Sequence, residues 1–206
     1  MVHCFALGIS EEEARLQRIG IHVISDQEDA RVHGACVRVA QRLRQTGRKV
    51  IGMVPASDEV AVPPIAVQLG LALVELSGAT VALVDANVRW PAFSSLAAEE
   101  VRTQDEMIFA TRWLRGSLAL LTPPRAWDPG AGVPQLARVI TQGSELFAHV
   151  LVDLTGFELV GDHLAAVELV EAVMIVAQAG RTREAELLRL REELPVAKNL
   201  GVLLSG

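Results

Sequence analysis

The chain has 206 residues and a formal net charge of −6, and 50% of its residues are hydrophobic. This length and composition predict one compact domain, at most with a short extension, and exclude a disordered chain. The acidic balance argues against nonspecific nucleic-acid binding, which depends on neutralising phosphates, so no nucleic-acid partner is expected. The apolar runs are too short to span a bilayer, and the N-terminus lacks the pattern of a secretory signal. We therefore expect a cytoplasmic protein without direct membrane insertion, in which Cys4 and Cys36 are reduced thiols.

The N-terminal part is predicted to be a helical extension over residues 1–47, followed by one compact unit over 48–206. Ser10 and Glu13 have the spacing of a capping box, which predicts a short helix ending near Ile19. Further along, a cluster of basic residues is interpreted as a solvated helix face rather than as a binding patch. The cluster consists of Arg38, Arg42, Arg44, Arg48 and Lys49.

Seven short apolar runs recur along the chain, with helical segments between them. They cover residues 21–24, 50–54, 81–84, 118–121, 150–154, 173–177 and 200–204. Several are continuous rather than alternating, which is typical of strands covered by helices on both faces. The alternation of strands and helices predicts an α/β fold with a doubly wound, mostly parallel sheet flanked by helices in three layers.

The ends of two helices can also be predicted. An Ala/Leu-rich helix should follow the run at 50–54 and end near Ser77. A second helix should begin with Thr182 as its N-cap and end before Pro195. Residues 123–134 are rich in proline and glycine, which predicts a surface loop.

The most informative segment is the turn that follows the apolar run at 50–54. A phosphate-binding loop at such a turn needs glycines that bring backbone N–H groups to phosphate, a Lys for the β- and γ-phosphates, and a Ser or Thr for Mg²⁺. Two residues of this turn lack a backbone N–H and two are acidic. The pattern predicts a strand, phosphate-binding loop and helix from which the phosphate chemistry has been lost. The turn consists of Ser57, Asp58, Glu59, Val60, Ala61, Val62, Pro63 and Pro64.

Two later strand-like runs end at an aspartate, Asp85 in one case and Asp153 in the other. An Asp at the carboxyl end of a parallel strand near a phosphate-binding loop can hold Mg²⁺ or orient water. A single such residue is a weak signal, because it equally well caps a helix or accepts from loop N–H groups.

Together the three segments resemble the MinD/ParA superfamily of deviant P-loop ATPases, and most closely its bacterial tyrosine kinase branch, the cytoplasmic kinase domains of capsule and exopolysaccharide export systems. That branch has a Gly-Lys-Ser/Thr loop, a strand ending in Asp-Ala-Asp-Leu-Arg-x-Pro, and a later strand ending in Asp-Thr-Pro-Pro. Here the second motif reads Asp85-Ala-Asn-Val-Arg-Trp-Pro91, and the third reads Asp153-Leu-Thr-Gly156. Asp162 resembles the Asp that follows this third motif in the family. The resemblance covers about residues 48–206 and implies the P-loop NTPase fold.

The departures from the family pattern point towards lost activity. Ungapped alignment places Val62 at the family's catalytic Lys and Pro63 at its Mg²⁺-binding Ser/Thr. Asn87 stands at the expected catalytic carboxylate, and an amide cannot act as a base. The chain has no Tyr, so it cannot autophosphorylate on tyrosine. Asp85, Asn87 and Asp153 are therefore predicted to be vestigial catalytic residues, with the two aspartates as a vestigial metal site and residues 57–64 as a vestigial phosphate loop.

The resemblance leads to three hypotheses. The favoured one is a catalytically inactive binding or regulatory module of bacterial surface polysaccharide biosynthesis or export, which needs no cofactor. Its partner would be a membrane chain-length or export protein, or an active kinase homologue, and the partner would bring it to the inner membrane. The second is an ATPase or kinase that binds ATP and Mg²⁺ through a non-standard loop.

The third hypothesis is a MinD/ParA-like positioning adaptor. The sequence has no evident terminal amphipathic helix, which disfavours a version that targets the membrane directly. Homo-oligomerisation is left open. Of the family's Glu-x-x-Arg-x-x-Arg oligomerisation helix, Glu28 and Arg31 have counterparts, but Gly34 stands at the last Arg.

Overall fold

The computed structural model describes residues 10–24, 29–87, 91–94, 96, 109–123, 132–157 and 163–206. These ranges form six helices and seven strands. The helices are α1 (Glu11–Arg18), α2 (Ala30–Gln45), α3 (Val62–Ser77), α4 (Gly132–Gly143), α5 (His163–Leu169) and α6 (Glu184–Glu193). The strands are β1 (Val50–Pro55), β2 (Val81–Asp85), β3 (Ala110–Leu114), β4 (Leu118–Thr122), β5 (His149–Asp153), β6 (Ala172–Gln178) and β7 (Asn199–Ser205).

All seven strands belong to one sheet, in the order β3-β4-β2-β5-β1-β6-β7. Neighbouring strands are parallel except β3 and β4, which form an antiparallel pair. The predicted mostly parallel, doubly wound α/β fold is therefore confirmed. Because β1, β5 and β2 are adjacent and parallel, their carboxyl ends lie together at one edge of the sheet, where ligands bind in open α/β folds.

Hydrophobic clusters cover both faces of the sheet and bury its central strands β1, β2, β5 and β6. One cluster includes residues of α4, α5 and α6, and the other includes residues of α1, α2 and α3. The N-terminal helices contribute Leu16, Ala40 and Leu43 to the second cluster, beside Leu73 of α3. Cys36 is a half-buried free thiol that packs against the same cluster, and burial raises the pKa of this thiol. The boundary at residue 47 stays a prediction.

Six of the seven predicted strands are confirmed, and the one over residues 21–24 is wrong. This run belongs to no strand, although Ile21 is buried. The Ile21 N–H donates to the Leu16 carbonyl at 2.9 Å, so the run continues the end of α1 and packs as irregular chain. Strand β3 was not predicted. Its exposed and less exposed residues alternate, as expected for an edge strand, but its composition of Ala, Thr, Arg, Trp and Leu gives no continuous apolar run.

The capping box of α1 is confirmed. The Ser10 Oγ accepts from the Glu13 N–H at 3.1 Å, and the Glu13 carboxylate accepts from the Ser10 N–H at 3.2 Å. The helix ends with Ile19 as its C-cap, as predicted. The predicted end of α3 at Ser77 is also confirmed, and Gly78 follows in the left-handed conformation with φ 63°.

The predicted start of α6 is wrong by one residue, because Arg183 rather than Thr182 is the N-cap. The Thr182 hydroxyl instead accepts from the Gln178 N–H at 2.8 Å, which closes the turn after β6. The predicted loop over 123–134 is wrong at its end, since Gly132 begins α4. Pro134 lies in the first turn of α4, where a missing N–H costs nothing. Residues 124–131 lie outside the described residues.

No helix within the described ranges is long and apolar enough to cross a bilayer.

Candidate functional site

Two aspartates lie side by side at the carboxyl edge of the sheet. Asp85 ends β2 and Asp153 ends β5, and they are register partners across the parallel β2–β5 pair. Both residues are fully buried. The two carboxyl groups predicted from the sequence are therefore brought together by strand pairing.

Asp85 fixes the backbone that follows β2. Its Oδ2 accepts from the Phe93 N–H at 2.8 Å, and its Oδ1 accepts from the Asn87 N–H at 3.3 Å. Phe93 is itself buried in the core on the α3 side of the sheet. Asp85 thus has a structural role, because both of its oxygens accept from the segment after its strand.

Asp153 has one oxygen engaged and one free acceptor. Its Oδ1 accepts from both the N–H and the hydroxyl of Thr155, at 2.9 Å and 2.5 Å. Its Oδ2 is buried and has no hydrogen-bond partner among the described residues. A buried oxygen in this state is suited to receive a proton, a water molecule or a cation.

The surroundings of the pair favour protonated carboxyl groups. Burial and the nearby Asp153 carboxylate together raise the pKa of Asp85 to about 7, against the lowering effect of the N–H groups of Phe93, Asn87 and Ala92. Burial also raises the pKa of Asp153 to about 6, against the lowering effect of Thr155. Near neutral pH the pair can therefore hold a proton between two groups that repel each other when both are ionised.

The turn between β1 and α3 is anchored at its start and open at its tip. The Ala56 N–H donates to the Val176 carbonyl of β6 at 2.8 Å, and the Val60 N–H donates to the Ser57 carbonyl at 3.0 Å. Asp58 and Glu59 are exposed. The N-cap of α3 is Ala61, whose side chain has no polar atom, so the N-cap residue supplies no side-chain cap to this helix.

The first turn of α3 has an unusual composition for a helix that begins after a central strand. Val62 is the first helical residue, and its side chain is fully buried in the hydrophobic cluster on the α3 side. Pro63 and Pro64 follow. A helix start normally offers four N–H groups that have no partner within the helix. The two prolines leave two of them, those of Ala61 and Val62.

A narrow cavity lies beside this turn. It is lined by Pro55, Ser57 and Asp58 on one side and by Leu154, Gly156 and residues of α5 and α6 on the other. The cavity that these described residues form has a volume of about 20 Å³, which accommodates about one water molecule. Pockets that bind small organic ligands usually measure roughly 300–1,000 Å³.

The remaining predicted site residues are placed only in part. Asn87 is half-buried two residues after Asp85, and its N–H contacts the Asp85 carboxylate. Residues 88–90 and Asp162 lie outside the described residues. Within the described part of the chain, no group of three or more His, Cys, Asp or Glu side chains is arranged to hold a metal ion. Whether Asp85, Asn87, Asp153 and residues 57–64 are vestigial stays a prediction.

Two residues important for this site were missed in the sequence analysis. Thr155 holds Asp153, and the spacing Asp-x-Thr is a known local pattern that could have indicated it. Phe93 holds Asp85 through its backbone N–H across eight residues of sequence. No local pattern predicts that contact, because a backbone donor carries no side-chain signature.

Comparison with known proteins gives structural relatives at low sequence identity. The BceF tyrosine kinase domain superposes with a TM-score of 0.66 at 16% identity, covering 96% of this chain and 90% of that domain. The kinase domain of the Escherichia coli tyrosine kinase ETK has a TM-score of 0.62 at 17% identity, with 82% and 75% covered. A ParA family ATPase from Chlorobium tepidum has a TM-score of 0.57 at 17% identity, with 77% and 74% covered. No protein-family model and no curated protein matches the chain.

The chain therefore has the α/β fold shared by bacterial tyrosine kinase domains and ParA-family ATPases. The predicted resemblance to the MinD/ParA-type superfamily is confirmed at the level of the fold. At these identities the likeness extends to the fold alone, so the activity has to be argued from the site.

Proposed function

We propose that this protein is a catalytically inactive relative of the bacterial tyrosine kinase domains that binds no nucleotide. It acts as a binding or regulatory module in bacterial surface polysaccharide biosynthesis or export. The observation that carries the proposal is the start of α3. Val62 is buried in the core, and Pro63 and Pro64 remove two of the four N–H groups that a phosphate would use.

The charges at the turn support the same proposal. The exposed Asp58 and Glu59 flank the place where a triphosphate would lie, and like charges repel it. Residues 55–64 contain no Lys or Arg that would offset this repulsion. Each charge-assisted hydrogen bond that is missing forfeits about 1.5–3 kcal/mol. The residues present at this turn do not fit a nucleotide phosphate chain.

A second candidate function, an enzyme that binds Mg²⁺ and nucleotide, is favoured by one observation. The buried Oδ2 of Asp153 has no hydrogen-bond partner among the described residues, and Asp153 is the register partner of Asp85. Mg²⁺ is usually held by one or two carboxylates together with substrate phosphates. The aspartate pair suits the cation better than the β1–α3 turn suits the phosphates. The cation-binding part of a Mg-nucleotide site is therefore supported, and the phosphate-binding part is not.

Titration calorimetry distinguishes the two candidates. Mg-ATP, Mg-ADP and Mg²⁺ alone are titrated into the protein at pH 8, where the carboxyl groups are ionised. We expect no binding of either nucleotide. A micromolar dissociation constant for Mg-ATP would overturn the proposal and favour the second candidate. Binding of Mg²⁺ alone leaves the protein without nucleotide and therefore agrees with the proposal.

The place in polysaccharide assembly rests on the family resemblance, and it needs its own test. The tagged full chain is crosslinked in the native cell and recovered from the membrane fraction under detergent. We expect a membrane chain-length or export protein, or an active kinase homologue, among the crosslinked partners. Recovery of neither, from cells in which the polysaccharide is being made, would contradict this part of the proposal.

A further inference from the structure

Strand β7 lies at one end of the sheet and is unusually apolar for an edge strand. Among the described residues it pairs with β6 and has no strand on its other side. Residues 199–205 contain no charged residue and no proline. Edge strands usually carry such residues because an open apolar edge pairs with other chains. The composition of β7 indicates an edge that is covered in the working protein.

One face of β7 is also uncovered. Leu200, Val202 and Leu204 are 37%, 49% and 64% exposed. Val202 and Leu204 are register partners of Ile175 and Ala177 in β6, which lie in the cluster beneath α6. Helix α6 therefore covers β6 on this face and leaves the neighbouring β7 side chains in contact with water.

The backbone at the open edge is regular over four residues. The Ser205 carbonyl accepts from the Ala179 N–H at 2.7 Å, so Ser205 directs its polar groups towards the interior of the sheet. Because these groups alternate along a strand, Leu204 and Val202 direct their N–H and C=O groups outwards. The register irregularity between β6 and β7 precedes Val202 and leaves residues 202–205 free to form a ladder.

Helix α6 places complementary charges beside this edge. Leu188 is exposed, with Glu184 one turn before it and Arg191 one turn after it. Glu193, on the other side of the helix, faces α5, where its carboxylate lies 3.8 Å from the His163 Nε2. The stripe of Glu184, Leu188 and Arg191 therefore faces away from α5. Because α5 connects β5 to β6 on the β1 side of the sheet, the β7 edge lies on the side of the stripe. Neither Glu184 nor Arg191 forms an ion pair within the described ranges.

We propose that two copies of this chain pair through β7, antiparallel about a two-fold axis, and so form one continuous sheet. The axis passes close to Leu203, which sets Val202 of one copy opposite Leu204 of the other. Helix α6 begins at the edge where β7 ends, so Leu188 lies level with the axis. The axis then brings the two Leu188 side chains together and sets Glu184 of each copy against Arg191 of the other.

A second copy suits this surface better than a lipid headgroup or an unrelated peptide would. The stripe on α6 has an acidic and a basic end at nearly equal distances from Leu188, which a two-fold axis makes self-complementary. A surface selected for anionic lipid would instead carry an excess of basic residues. The pairing uses none of the residues at the β1–α3 turn, so it is independent of the proposed loss of nucleotide binding.

Sedimentation equilibrium of the full chain measures the association. We expect a dimer, and we expect Val202→Lys to abolish it because the change buries charges at the new interface. The matched control is Leu146→Lys, at an aliphatic residue that is 72% exposed on the turn after α4. It should leave association unchanged, and circular dichroism melting establishes that each variant is folded.

A second test exchanges the charges of Glu184 and Arg191 on α6 and leaves the sequence of β7 unchanged. Glu184→Arg should weaken dimerisation about tenfold or more, and Glu184→Arg with Arg191→Glu should restore it. A wild-type chain that stays monomeric up to about 100 μM would overturn the proposal, whether or not it binds vesicles or peptides instead. Equal effects of Val202→Lys and Leu146→Lys, or failure of the double exchange to restore association, would also overturn it.

Discussion

Asp85 and Asp153 end adjacent parallel strands as register partners, and both carboxyl groups are buried. The two residues differ in what holds them. Asp85 accepts backbone N–H groups with both oxygens, whereas Asp153 has its Oδ2 free of any described partner. Ionisation of the buried pair therefore lowers the free energy of unfolding by an amount that depends on pH. Single substitutions should reveal this effect.

The substitution Asp153→Asn should stabilise the protein at pH 8. The folded pKa of Asp153, about 6, lies above its ordinary value of 3.8, so its ionisation costs folding free energy as the pH rises from about 4 to 6. The amide abolishes this cost and removes the charge that raises the pKa of Asp85. We expect the free energy of unfolding to rise by on the order of 2 kcal/mol at pH 8 and to change little near pH 4. Urea denaturation at the two pH values measures it.

The control for this measurement is Asp58→Asn, at an exposed carboxylate of the β1–α3 turn. It should change stability by less than about 0.5 kcal/mol at either pH. A loss of stability at pH 8 in Asp153→Asn would contradict the cost of ionising this buried carboxyl group.

The substitution Thr155→Val should act in the opposite direction. The Thr155 hydroxyl donates to Asp153 and lowers the pKa of that carboxyl group against the effect of burial. Without the hydroxyl, the ionised carboxylate loses a donor that the protonated form needs less. We expect a loss of about 1–2 kcal/mol at pH 8 and a smaller loss at pH 5. Thr155→Ser keeps the hydroxyl and should retain most of the stability at both values.

Introducing the residues of a phosphate-binding loop into the β1–α3 turn should create some affinity for nucleotide, as the proposed loss of this chemistry implies. The variant combines Glu59→Gly, Ala61→Gly, Val62→Lys, Pro63→Ser and Pro64→Thr. It gives the helix start backbone donors, a cation and a hydroxyl. We expect weak binding of Mg-ATP by calorimetry, which the exposed Asp58 still opposes.

The matched control contains the other four changes and retains Val62. It should bind Mg-ATP more weakly than the complete variant, because the lysine supplies the charge for the β- and γ-phosphates. Equal affinities of the two variants would argue that any binding arises elsewhere than at this turn.

Lys198 should be a measurable contributor to stability. Its ammonium group donates to the carbonyls of Val167 and Glu168 at the end of α5, at 3.1 Å and 3.0 Å, and contacts the Glu168 carboxylate at 3.0 Å. A cation at a helix carboxyl end satisfies carbonyls and the helix dipole together. Lys198→Met should lower the free energy of unfolding by about 1–2 kcal/mol. Arg48→Met, at an exposed residue, should cost less than about 0.5 kcal/mol by the same denaturation measurement.

Much of the fold could be predicted because the interior strands are continuous apolar runs that are visible in any short window. The runs that became β1, β2, β5 and β6 are buried on both faces, which is why they are continuously apolar at strand length. The capping box at Ser10 was equally predictable, since its partner is three residues away. Strand β3 was missed because an edge strand is half exposed, and the run at 21–24 was misread because burial alone does not make a strand.

The candidate site, like the fold, could be predicted only in part from the sequence. The sequence by itself determined that Asp85 and Asp153 end strands, and that Pro63 and Pro64 stand at the start of a helix, because these are properties of neighbouring residues. Only the tertiary structure decided that the two aspartates are partners, that Val62 is buried, and that the Oδ2 of Asp153 lacks a described partner. It also decided that β7 is an edge, with Leu200, Val202 and Leu204 exposed. Strand order and burial depend on contacts between residues far apart in the chain, and no local pattern encodes them.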